Sequence, residues 1–114
     1  MMVSFEGIGQ WSATFACTDV QEGQVVKISG SGQVSQCADG DAFCGVVSTV
    51  GRDGAACGVV LGGMVTVPYT GSAPALGRTG LSADGEGGVK ADGAGEKYLV
   101  AAVDESDMRV TFIL

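Results

Sequence analysis

The sequence predicts an all-β fold: a small β-barrel or β-tulip-like sandwich of short strands, with little or no helix. Three observations lead there. Valine-rich runs of four to eight residues recur along the chain at 24–28, 33–37, 43–50, 56–61, 64–69, 88–91, 98–103 and 108–114. Turn-forming dipeptides fall between them, with Asp-Gly at 39–40, 53–54, 84–85 and 92–93 and Gly-Gly at 62–63. No segment repeats apolar residues at i, i+3, i+4 and i+7 over three turns, so the helical period is missing. Short runs bounded by turn residues at this spacing belong to sandwiches and barrels.

The elements follow in order. Residues 1–18 stand apart, because Phe5, Ile8, Trp11 and Phe15 place three of the seven aromatics ahead of the first clear strand. They read as an N-terminal arm or edge strand, either covering the open end of the barrel or lying across a neighbouring subunit. Tryptophan and phenylalanine anchor such interfaces, so these four residues are the candidate interface. Removing residues 1–18 is then expected to leave a folded body, with 19–114 as a single β domain. Each Asp-Gly is a candidate chain reversal, since both residues tolerate positive φ. Gly62-Gly63, between the runs at 56–61 and 64–69, reads as a two-residue hairpin loop. Residues 74–83 hold Gly77 and Gly80 and are granted at most one short turn of helix. The closing run alternates, with Met108, Val110, Phe112 and Leu114 on one face and Arg109, Thr111 and Ile113 on the other.

Bulk properties bound the function. A chain of 114 residues is one domain's worth. Twenty glycines lie well above the usual share of ~7% and show no collagen-like period, so they punctuate short elements. The net charge is −7, and the six basic residues are scattered, none adjoining another. Such a chain lacks the clustered cations of a nucleic-acid footprint and fits either a soluble, self-repelling surface or a partner with a basic patch. Gly54, Gly58 and Gly62 have the spacing of packed membrane helices. Glycine and proline interrupt that stretch too often for a span of ~20 apolar residues, so no membrane partner is expected.

The chemistry-bearing residues point away from catalysis. With no histidine, the commonest general base and metal ligand is missing. Cys17, Cys37, Cys44 and Cys57 form no Cys-x-x-Cys. The opening Met-Met-Val-Ser-Phe-Glu has neither a basic stretch nor a long apolar run. Reduced, mostly buried thiols are therefore the first expectation, ahead of a disulfide or a four-thiolate metal site. Carboxylate pairs at Asp39/Asp41, Asp84/Glu86 and Asp104/Glu105/Asp107 sit in turns, where aspartate is favoured for backbone reasons. None follows a calcium-loop pattern. No catalytic, cofactor or metal residue is assigned, and the chain is read as a non-enzyme.

The order of elements resembles a known family. It runs Glu22-Gly23-Gln24-Val25-Val26-Lys27-Ile28-Ser29, then Phe43-Cys44-Gly45-Val46-Val47, then Gly63-Met64-Val65-Thr66-Val67-Pro68-Tyr69. Gly77 and Leu81 follow, and Tyr98-Leu99-Val100-Ala101-Ala102-Val103 closes the pattern. This resembles the small capsid cement, or head-decoration, proteins of tailed bacteriophages and prophages, from about Phe5 to the C-terminus. Phe5-Glu6-Gly7-Ile8-Gly9-Gln10 and the segment from Leu81 to Lys90 are similar to short prophage proteins of gut Firmicutes. The resemblance implies a β-barrel or β-tulip-like fold, often trimeric, seated on the major capsid protein lattice at the virion exterior after assembly in the bacterial cytoplasm. The expected function is thus a virion structural protein that decorates and stabilises a capsid. The alternatives are a tail or connector protein and a small barrel module that binds carbohydrate or peptide.

Overall fold

The structure is a computed structural model and describes residues 8–114. Among them are ten strands and no helix. Five build a first closed barrel: β1 (Trp11–Cys17), β2 (Val25–Gly30), β3 (Gln33–Gln36), β4 (Gly45–Val50) and β5 (Ala56–Gly62). Five build a second: β6 (Met64–Thr70), β7 (Gly77–Ala83), β8 (Val89–Ala91), β9 (Glu96–Asp104) and β10 (Arg109–Ile113). The fold is all-β, as the valine runs and turn dipeptides predict.

The two barrels share one topology. β1 pairs parallel with β3 and antiparallel with β5, while β2 pairs with β3 and β4, and β4 with β5. In the second barrel β6 pairs parallel with β8 and antiparallel with β10, while β7 pairs with β8 and β9, and β9 with β10. Strand for strand, β1–β5 correspond to β6–β10. The sequence carries a faint trace of this. At a spacing of 53, Ala38-Asp39-Gly40 falls on Ala91-Asp92-Gly93, Val47 on Val100 and Val50 on Val103.

Two apolar clusters hold the barrels. Cys17, Val26, Val34, Val47, Cys57 and Val59 fill the first barrel. The second cluster is shared: Val65, Val67, Tyr69, Leu81, Val100, Val110 and Phe112 of the second barrel pack with Val25, Cys37, Phe43, Val46 and Val60 of the first. Phe43, on the β3–β4 connection, is the plug. Its ring stacks on Tyr98 at 5.1 Å between centroids and meets Phe112 edge-on at 5.8 Å. Such aromatic pairs add to the apolar area they bury. Backbone hydrogen bonds run alongside, from Gly40 N–H to the Ala83 carbonyl and from Ala83 N–H to the Asp41 carbonyl. One hydrophobic core therefore spans both barrels.

Four expectations change. First, Gly62-Gly63 is no hairpin, because β5 pairs with β1 and β4 while β6 pairs with β8 and β10. It is the junction between barrels. A Cβ on Gly63 would crowd the backbone of Gly9 and Gln10, and its φ is +91°. Second, residues 77–83 form a strand, not a turn of helix. Gly80 lies so close to the Asp92 carbonyl that a Cβ would overlap it, which is a glycine's role in a strand as much as in a turn.

Third, residues 11–17 are built into the first barrel, hydrogen-bonded to β5 on one side and, at their end, to β3 on the other. The boundary at residue 18 does not divide the body, and removing residues 1–18 would take out a barrel strand. Fourth, only two of the Asp-Gly pairs close hairpins, Asp53-Gly54 between β4 and β5 and Asp84-Gly85 between β7 and β8. Asp39-Gly40 and Asp92-Gly93 lie on connections between unpaired strands, at the same place in each barrel.

Candidate functional site

Of the four candidate interface residues, Phe5 lies outside the described residues. Phe15 turns inward, half-buried against the core of the first barrel. Ile8 and Trp11 reach the surface, at 49% and 60% exposure. Trp11 sits opposite Gly62, and a Cβ there would strike its indole nitrogen, so the ring lies over bare backbone. Ile8 is held beside the junction, its carbonyl accepting from Met64 N–H at 2.9 Å. Gln10 braces the same corner, donating from Nε2 to the Met64 carbonyl at 2.7 Å. Backbone hydrogen bonding thus fixes an exposed Ile–Trp pair at the seam of the two barrels.

An apolar row extends this corner. Ile113 is paired with Met64 on one side and Leu99 on the other, and Leu99 with Arg78. Residues directly opposite one another point to the same face of a sheet. Leu99 and Ile113 are each 38% exposed, Met64 is half-buried and Arg78 is exposed. Sequence reasoning missed this row. It placed Leu99 inside a valine-like run and Ile113 on the polar side of the last strand, with no way to know which strands adjoin. On the same barrel, an open groove of about 500 Å³ is lined by Pro74, Leu76, Ala101, Ala102, Val103 and Glu105, among others.

The ionisable groups serve the turns. Asp84 Oδ1 accepts from the N–H groups of Glu86 and Gly88, Asp92 Oδ1 from Ala94 N–H, and Asp104 Oδ1 from Ser106. Asp53 Oδ1 accepts from Ala55 N–H in the same way. Asp41 accepts from Lys27 Nζ at 2.6 Å and from Ala38 N–H, which together hold its carboxyl below the usual range. The Ala94 and Ser82 hydrogen bonds do the same for Asp92, and those of Ser106 and Asp107 for Asp104. Lys90 pairs with Asp39 at 2.7 Å. No group of three metal-ligating side chains occurs among the described residues.

The four cysteines are free, with Cys17, Cys37 and Cys57 buried. Burial pushes the thiols of Cys37 and Cys57 up to about 11. Burial also raises Cys44. A thiol this reluctant to ionise is a poor nucleophile at neutral pH. Tyr69 and Phe112 are fully buried and Tyr98 is packed against Phe43, so Trp11 is the one strongly exposed aromatic among the described residues. No helix of the described residues is long and apolar enough to cross a membrane. The sequence matches no protein-family model and no curated protein.

Proposed function

We propose that this chain is a non-enzymatic virion structural protein that decorates and stabilises a phage or prophage capsid. It binds the major capsid protein lattice from outside, as a homo-oligomer, with a trimer favoured. The observation that carries the reading is the Ile8–Trp11 corner, an apolar anchor fixed by backbone hydrogen bonds at the seam of the barrels. An exposed tryptophan on a rigid sheet loses little entropy when it is buried, which is what an interface anchor needs. The net charge of −7 suits a basic partner surface. Many copies, each contributing a modest contact, would tie neighbouring capsomers together by multivalency.

The test is co-sedimentation of the purified chain with expanded capsids of the same virus, alongside Trp11→Ser. The native chain should pellet at a fixed ratio to the capsid protein, and Trp11→Ser should pellet far less. A native chain that stays in the supernatant at saturating concentration would contradict the proposal.

A further inference from the structure

We propose that the chain self-associates head to tail, the Met64–Ile113–Leu99 row of one copy seating on the open rim of the first barrel of a second copy. This deepens the oligomeric half of the preceding reading and is independent of its capsid half.

The same docking already exists inside one chain. On the first barrel, Ser12 is opposite Val60, Val60 opposite Val46, and Val46 opposite Val25, an outward row across β1, β5, β4 and β2. The neighbouring residues Val26, Val47 and Val59 point inward. Yet Val25, Val46 and Val60 are buried, because they pack into the core of the second barrel. The shared topology carries this row onto Met64, Ile113, Leu99 and Arg78. Three of these four are apolar, and Ile113 and Leu99 remain 38% exposed.

The receiving side is repeated too. In the second barrel Tyr69, Val89 and Ala83 form a row at the rim, and the 38–41 connection bonds to its Ala83 end. Gly40 N–H donates to the Ala83 carbonyl at 2.8 Å, and Ala83 N–H to the Asp41 carbonyl at 2.9 Å. Ala83 is fully buried, within the core that the two barrels share. The matching row of the first barrel is Cys17, Val34 and Ile28. Cys17 and Val34 are buried within the first barrel, but Ile28, which shares the inward phase of Val26, is 54% exposed, so the row ends at the rim in an uncovered aliphatic side chain. The counterparts of Gly40 and Asp41 are Gly93 and Ala94, both exposed on the 91–94 connection. One molecule therefore presents both halves of the contact that joins its own barrels, on different surfaces.

Such an interface is heterologous: the two surfaces differ, so each copy offers one and receives on the other. Repetition closes a ring where the rotation allows and otherwise extends a filament. A trimer built this way is a ring. The contact buries side chains that are now partly wet, and the 91–94 connection supplies hydrogen-bonding groups at the rim, as 38–41 does within the chain.

The test is sedimentation velocity of the full chain over a concentration series, with Leu99→Glu to block the row and Ile28→Glu to block the rim. Both positions are exposed, and circular dichroism checks folding; if Leu99→Glu misfolds, Ile113→Lys blocks the same row. The native chain should sediment above its monomer mass of 11.4 kDa, and each variant alone as a monomer. Mixing the two should restore a 1:1 dimer and nothing larger, since one intact row meets one intact rim. A native chain that stays monomeric throughout the series would overturn the proposal. So would a variant pair that fails to combine, or an Ile28→Glu variant that associates with itself, because a two-fold contact through the row has that signature.

Discussion

Phe43 comes from the first barrel but stacks within the second, so replacing it with alanine probes the joint between them. The side chain is 6% exposed and touches both Tyr98 and Phe112. Truncating a buried phenylalanine costs about 3–5 kcal/mol, the lost transfer energy plus the cavity left behind. The two aromatic contacts place Phe43→Ala toward the upper end of that range. With a urea dependence of about 2 kcal/mol per molar, the unfolding midpoint should fall by roughly 2 M. Trp11 fluorescence reports on the first barrel, and the near-ultraviolet signal of Tyr69 and Tyr98 on the second. In the native chain the two probes should unfold together, because one core spans both barrels. In Phe43→Ala they should separate, and Phe43→Leu should recover part of the loss. A midpoint shift worth under about 1 kcal/mol, with the probes still coincident, would refute the claim that this ring joins the barrels.

Other outcomes follow from the same geometry. Gly80→Ala should destabilise by about 1–3 kcal/mol, because its Cβ would overlap the Asp92 carbonyl, while Gly93→Ala should be near neutral, with open space around it; thermal melts compare them directly. Trp11→Ser should leave the melting temperature almost unchanged, the ring being 60% exposed, while weakening capsid binding by about 2 kcal/mol or more, some thirtyfold, as an interface anchor does. The raised thiols of Cys37 and Cys57 stabilise the fold below the ordinary cysteine pKa of about 8.5, and that stability is lost as pH rises through about 11. Urea midpoints at neutral and alkaline pH should therefore fall on the alkaline side, and a flat profile would count against buried thiols. At the other end, the lowered carboxyls of Asp41, Asp92 and Asp104 stabilise above the usual carboxylate range, so stability should fall as acid protonates them.

The sequence made the strand class legible and hid the duplication. Eight of the ten strands announce themselves as valine runs between turns. β7 does not, because Gly80, Leu81, Ser82 and Ala83 are all buried and no alternation marks it; the 92–95 connection covers the outward side, its backbone lying against Gly80 and Asp92 accepting from Ser82. β1 fails for the opposite reason. Nearly all of it is exposed, so Trp11 and Phe15 read as an arm or edge strand rather than as a strand inside a closed barrel. The Ala-Asp-Gly signal at 38–40 and 91–93 was the visible trace of the repeat, but Asp-Gly is common enough in turns to be read as local chemistry. The site was half legible. Aromatic clustering pointed to Trp11 and Ile8, whereas the Met64–Ile113–Leu99 row exists only through pairing between strands far apart in sequence.

Electron cryo-microscopy of expanded capsids, incubated with the purified chain and washed, tests the decoration reading most directly. Added density is expected on the outer surface at a fixed lattice position, into which the two barrels fit with the Ile8–Trp11 corner against the capsid protein. Bare capsids at saturating chain concentration, or density that meets the lattice through another face and is unchanged in Trp11→Ser, would contradict it.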